Sequence, residues 1–90
     1  MTFPPELPRL LTEALESLGV AVERVRLDEM SSGGGLCMVR GRYVVYLDRL
    51  NPVEKDVELL TEAVLRMTDA NTFLVPAVRD WLERQGQIGS

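Results

Sequence analysis

The chain contains no histidine and only one cysteine, Cys37, so several kinds of site are excluded at the start. Zinc sites are built mainly from imidazole and thiolate ligands, and most nucleophilic enzymes activate their nucleophile with a histidine. A single thiol cannot form a disulfide within the chain. We therefore expect no metal site, no cofactor and no catalytic residues, and we predict that the protein is not an enzyme.

Basic residues are fewer than acidic ones, 10 against 14, and long apolar runs are lacking. The formal net charge is −4 and the isoelectric point is about 4.7, whereas affinity for nucleic acids comes mainly from Lys and Arg. No stretch approaches the roughly 20 apolar residues of a membrane helix, and residues 1–6 lack the features of a signal peptide. We expect neither nucleic acid nor membrane as a partner, and we expect a cytoplasmic protein.

What is present is the composition of one small globular domain. The 90 residues are 46% hydrophobic and 27% charged, so a single domain over residues 1–90 is expected. Nearly all basic residues are arginine, with Lys55 the only lysine, and Asn and Gln are few. Such a bias accompanies heat tolerance in some families, so we interpret the chain as that of a thermophile.

The first third of the chain predicts a helix and a strand. Gly19 stands where a left-handed helix end is favoured, after leucines at helical spacing: Leu7, Leu10, Leu11, Leu15 and Leu18. Val20 and Val22 then alternate in one phase, and Val25 and Leu27 alternate in the other. The slip at Glu23-Arg24 predicts a strand with a bulge or bend.

A glycine loop and a hairpin follow. Gly33, Gly34 and Gly35 favour a loop, because three glycines raise the entropic cost of regular structure. Residues 36–39 and 43–47 are rich in β-forming side chains, and Gly41 between them supplies the positive φ of a tight turn. The sequence therefore predicts a β-hairpin whose two faces are both apolar.

Residues 51–67 predict an amphipathic helix. Asn51 is the expected cap, Pro52 the first helical residue and Glu54 the capping-box glutamate. The apolar seam consists of Val53, Val57, Leu60, Val64 and Met67. The charged side chains, among them Asp56 and Glu62, are expected to point away from this seam.

Pro76 begins a last short helix that is expected to bury Val78, Trp81 and Leu82. The element order is then α-β-β-β-α-α. We predict an α+β fold, a two-layer domain with a three-stranded, mostly antiparallel sheet.

Two resemblances bear on function. Residues 34–41 read Gly-Gly-Leu-Cys-Met-Val-Arg-Gly and residues 52–55 read Pro-Val-Glu-Lys, which resembles a group of short uncharacterised bacterial proteins with a Gly-Gly-x-Cys-x-Val-x-Gly hairpin. The resemblance covers about half of the chain and implies a fold without an assigned activity. The layout of hairpin and helix is more distantly similar to zincin-like metallopeptidases, which carry His-Glu-x-x-His on that helix.

The zincin layout places Thr61 at the position of the first histidine, Glu62 at that of the general-base glutamate and Leu65 at that of the second histidine. Both histidines are absent, so the resemblance implies at most a degenerate relative that keeps a groove for a peptide or an anion. The plainer interpretation of Glu62 is a solvated carboxylate within pairing distance of Arg66, four residues further along the helix.

Two further candidates lie in and around the hairpin. Cys37 is the one strong nucleophile, with Arg40 or Arg42 as the charges that could activate it, but a cysteine within a β-rich run is more often a small buried hydrophobe. The glycines of the 33–35 loop offer backbone N–H groups to an anion, with help from Arg40 and Arg42. A plain flexible turn is the alternative interpretation of the loop.

We therefore expect a non-catalytic binding or scaffolding module with a protein partner. The alternatives are a degenerate hydrolase-like domain with a groove between the Gly33 loop and the Glu62 helix, and a thiol-dependent enzyme using Cys37. A homodimer is also expected, because the helices of so short a chain leave Val44 and Tyr46 partly bare on the second sheet face. In the monomeric alternative, Trp81 and Leu82 close that face.

Overall fold

A computed structural model describes residues 2–26 and 34–85 of the chain. Its elements, in order, are α1 Leu7–Ser17, β1 Ala21–Val25, β2 Gly35–Val39, β3 Arg42–Asp48, α2 Val53–Met67 and α3 Pro76–Arg84. This confirms the α+β class and the predicted order of helices and strands. Within the described ranges, no helix is long and apolar enough to cross a bilayer.

The sheet is mixed, with strand order β1-β3-β2. β2 runs antiparallel to β3, and β1 runs parallel to it, so that Val44 of β3 lies between Ala21 and Cys37. The central strand is therefore the last one in sequence, and β2 lies at an edge of the sheet. This order depends on the crossover from β1, which the hydrophobic pattern alone does not reveal.

The predicted bulge at Glu23-Arg24 is wrong. The β1 ladder is unbroken, with every residue from Ala21 to Val25 opposite a residue of β3. Arg24 occupies a position on the helix-facing side of β1, and its guanidinium lies 2.7 Å from the carboxylate of Asp56. The apolar pattern changes phase because a charged residue fills a place where a hydrophobic one was expected.

The hydrophobic core lies between one sheet face and the helices. Its strand members Val45 and Leu47 are fully buried, and Val22 and Leu36 pack against them. α1 packs against α2 and contributes Leu7, Leu11 and Leu15. All strand residues of this core lie on one face, so the domain has two layers, as predicted.

The two turns that depend on positive φ follow the prediction. Gly19 has φ +83 and ends α1, and its N–H bonds to the carbonyl of Glu16. Arg40 and Gly41 have φ +52 and +80, which is the pattern of a type I′ hairpin loop. Arg42 already belongs to β3, opposite Val39, so the loop has only two residues.

The start of α2 differs from the prediction. Pro52 is the N-cap residue, and within the described ranges no side-chain hydrogen bond caps the helix. The side-chain nitrogen Nδ2 of Asn51 instead donates to Oδ1 of Asp56, at 3.4 Å. Asp56 is 2% exposed, so its predicted position on the solvent side of α2 is wrong. Its carboxylate is buried because Arg24 and Asn51 provide the partners that a buried charge requires.

α3 packs in the helix layer. The indole nitrogen of Trp81 donates to the hydroxyl of Thr61 at 2.9 Å, and the ring meets Phe3 edge-on at 6.2 Å. Val78, Trp81 and Leu82 are buried, as predicted. The alternative in which Trp81 and Leu82 close the second sheet face is wrong, because their burial is against the other helices.

Candidate functional site

A cleft with a volume of about 180 Å³ lies between the start of β2 and the middle of α2. It joins Gly34 and Gly35 to Glu62, which the sequence predicts as members of one groove. The described residues that line it are Gly34, Gly35, Leu36, Leu59, Glu62, Ala63 and Arg66. The cleft has room for about one side chain.

The lining of the cleft is mixed, with apolar side chains beside a larger polar share that includes its charged rim. Leu59, Glu62, Ala63 and Arg66 are spaced by three and four residues, so they share one face of α2. Leu59 is half-buried and Ala63 is buried, and Leu36 faces them from β2. The cleft therefore offers apolar contacts on the side of Leu36, Leu59 and Ala63, and polar groups of a bound molecule would meet the rest of its lining.

Glu62 and Arg66 are both exposed at this rim. Their spacing allows an ion pair along the helix, as the sequence suggests, but the two side chains do not form one. Neither side chain has an ion-pair partner among residues 2–26 and 34–85. A carboxylate and a guanidinium at the mouth of the cleft therefore remain available for an incoming molecule.

The glycines form the other side of the mouth. Gly34 and Gly35 have φ +95 and +89, which few other residues adopt. Among the described residues, a side chain at Gly35 would meet nothing closer than Leu59 Cδ2 at 4.0 Å, so the backbone conformation rather than these neighbours calls for glycine. Gly33, the remaining predicted member of this loop, lies outside the described residues.

The structure does not bring Arg40 and Arg42 to the glycines. Arg40 lies in the hairpin loop and Arg42 opposite Val39, at the far end of β2. A strand rises by about 3.3 Å per residue, so the length of β2 separates them from Gly35 by more than about 10 Å. Among the described residues, Arg66 is the basic side chain that lines the cleft, and the sequence did not single it out as a ligand-binding residue.

Cys37 lies on the opposite side of the sheet from the cleft. It is half-buried beside Val44, and its Sγ donates to the carbonyl oxygen of Gly35 at 3.6 Å. Val44 itself is 7% exposed and Tyr46 is half-buried. The expectation that Val44 is partly bare is therefore wrong. Val44 is buried because it lies on the central strand, between the two flanking strands.

The outer edge of β2 is the feature that sequence reasoning missed. Because the hairpin loop has two residues, Val39 and Arg42, which flank it, form a hydrogen-bonded pair. Hydrogen-bonded and non-hydrogen-bonded pairs then alternate along the antiparallel ladder. The N–H and C=O groups of Leu36 and Met38 therefore point away from β3. In the described part of the chain no hydrogen-bond partner meets them.

A second groove, of about 240 Å³, lies between α1 and residues 73–75. Phe73 is 82% exposed at its rim. Leu10, Ala14 and Val75 make the groove mostly apolar, with Glu13 and Ser17 as its polar members. The sequence signal for it was a phenylalanine in an extended segment before Pro76.

Comparison of the chain with protein-family models, with curated proteins and with the solved structures finds no match. The resemblances to the Gly-Gly-x-Cys-x-Val-x-Gly proteins and to the zincin-like metallopeptidases therefore stay predictions. Over the described residues, no three His, Cys, Asp or Glu side chains are grouped so that they could hold a metal ion.

Proposed function

We propose that the protein is a non-catalytic binding module that accepts an extended polypeptide segment as an additional strand along β2. The observation that carries the proposal is the open edge of β2 beside the cleft under α2. A segment added there gains main-chain hydrogen bonds from the edge and a side-chain pocket from the cleft, which is how strand-accepting domains combine affinity with specificity.

The backbone of β2 offers four groups to such a segment, the N–H and C=O of Leu36 and of Met38. Alternate side chains of an added strand point to the helix side of the sheet. There they reach the cleft between Leu36 and Leu59. Glu62 and Arg66 at the rim would then meet polar or charged groups of the bound segment.

The two edges of the sheet differ in their protection. β1 carries Glu23 and Arg24, and charged residues on an edge strand discourage the addition of another strand. β2 reads Gly-Leu-Cys-Met-Val, with neither charge nor proline. Since unprotected edges are the ones that attract partners, this contrast favours β2 as the binding edge.

A binding role also fits the chemistry of the cleft better than catalysis does. Glu62 and Arg66 are its only ionisable lining residues among those described, and Arg is always protonated. Cys37 lies on the other face of the sheet, so a segment held in the cleft would not meet its thiol. The thiol-enzyme alternative and the degenerate hydrolase alternative are therefore less favoured. The cytoplasmic location and the thermophilic source stay predictions of composition.

Selection from a random peptide library displayed on phage tests the proposal. The full chain is immobilised at low density, so that each copy presents its own β2 edge. We expect selected peptides to slow amide exchange at Leu36 and Met38 and to bind Met38→Lys much more weakly. Tyr43→Lys is the matched control, because Tyr43 lies opposite Met38 but on the central strand. Peptides that protect the Phe73 groove and leave β2 unprotected would contradict the proposal.

A further inference from the structure

We infer that the segment occupying the edge of β2 is β2 of a second copy, so that two chains form a symmetric dimer with one continuous sheet. The inference rests on the proposed function, since it requires β2 to accept a strand. It names the partner as the protein itself. The two β2 strands would run antiparallel about a twofold axis perpendicular to the sheet, with both helix layers on the same side.

The hydrogen-bonding groups of β2 are complementary to themselves about one particular axis. If the axis passes beside Cys37, Leu36 of each copy lies opposite Met38 of the other. These are the two residues whose N–H and C=O groups point outward. Both cross-pairs are then hydrogen-bonded pairs, and every outward group of the two residues finds a partner.

Neighbouring axes satisfy fewer groups. An axis at Leu36 pairs that residue with its own copy and places Met38 opposite Gly34, which lies outside the strand. An axis at Met38 places Leu36 opposite Arg40, whose φ of +52 belongs to the hairpin turn. Only the axis at Cys37 uses all outward groups within β2, so hydrogen bonding selects the register.

The same register places an exposed side chain at the cleft. Met38 is 56% exposed, although it faces the helix side of the sheet. Opposite residues of an antiparallel pair project to the same side, so Met38 of one copy lies beside Leu36 of its partner. There it reaches the cleft between Leu36 and Leu59. Methionine is unbranched and fills irregular gaps well, so one side chain suits a cleft of about 180 Å³.

Cys37 reports on the register because it lies on the axis. It would face its own copy in a non-hydrogen-bonded pair, in which Cα atoms are about 4.5 Å apart and side chains are closest. That separation is within the range of disulfides, about 4.4–6.8 Å between Cα atoms. Diamide should therefore link the two chains, accepting the two thiol hydrogens as the S–S bond forms.

The test combines light scattering with oxidation of the full chain. In reducing buffer at micromolar concentration, we expect twice the chain mass of 10.1 kDa. Diamide should then convert the dimer into a covalent one through Cys37. The control variant carries Cys37→Ser and Val39→Cys; Val39 is 37% exposed but would lie opposite Gly35 of the partner, so this thiol should link slowly. A dimer in which the control links faster than Cys37 would overturn the inference.

Two variants separate this inference from the proposed function. Met38→Lys should raise the dimer dissociation constant by at least about tenfold, because it places a charge on the edge strand, whereas Tyr43→Lys should change it by less than about twofold. A chain that is monomeric at micromolar concentration but binds selected peptides along β2 overturns the dimer and keeps the proposed function. A monomer whose β2 amides are protected by no peptide overturns both.

Discussion

Arg24 of β1 forms an ion pair with Asp56 of α2, in which Nη2 lies 2.7 Å from Oδ2. The Asp56 carboxylate is one of the most deeply buried polar groups of the described structure. The pair joins the edge strand β1 to the first turn of α2. Asn51 adds a longer contact to the other carboxylate oxygen, at 3.4 Å. The pair therefore helps to hold α2 across the sheet, which in turn positions the cleft beside β2.

Arg24→Met should lower the free energy of unfolding by about 2 kcal/mol, because it leaves Asp56 with a buried charge and only the weak Asn51 contact. Urea denaturation measures the change. Arg9→Met is the matched control, since its partner Glu13 is exposed and the pair is worth about 0.5 kcal/mol or less. Equal effects of the two substitutions would contradict the structural role of the pair.

Thr61→Val should also destabilise the protein, by about 1–2 kcal/mol. The change keeps the size of the side chain but removes the acceptor for the indole N–H of Trp81, which is then buried without a partner. Thr12→Val is its control, because the Thr12 hydroxyl donates to the carbonyl of Pro8 in a partly buried place. A Thr61→Val variant as stable as the control would show that the bond contributes nothing.

Arg40→Asn should stabilise the hairpin by about 0.5–1 kcal/mol. Asn-Gly is the preferred pair for a type I′ loop, and Arg40 now adopts φ +52 at a cost that Asn reduces. Thermal unfolding followed by circular dichroism measures the gain. Arg42→Asn should give none, since Arg42 belongs to β3 and Asn is a poor strand residue. A loss of stability in Arg40→Asn would contradict the turn assignment.

The elements that depend on local sequence could be predicted. The helical spacing of the leucines predicted α1, Gly19 predicted its end, and Pro76 predicted the start of α3. The degenerate-hydrolase alternative requires a groove between the glycine loop and Glu62, and the structure has a cleft lined by Gly34, Gly35 and Glu62.

Features that depend on distant partners could not be predicted. Asp56 reads as a solvent-facing helix residue until Arg24, 32 positions earlier, is placed beside it. The same pair explains the false bulge in β1. The open edge of β2 follows from β1 pairing with β3 in parallel, and no local pattern of apolar residues encodes that strand order.

The central claim, that the edge of β2 is occupied by β2 of a second copy, is tested most directly by an isotope-filtered NOE experiment on a mixture of labelled and unlabelled full-length chains. In a non-hydrogen-bonded antiparallel pair the two Hα atoms are close neighbours. A dimer joined through β2 should give a strong intermolecular NOE between the Hα atoms of Cys37 in the two copies. Intermolecular NOEs confined to Phe73 and its groove, or none from β2, would contradict it.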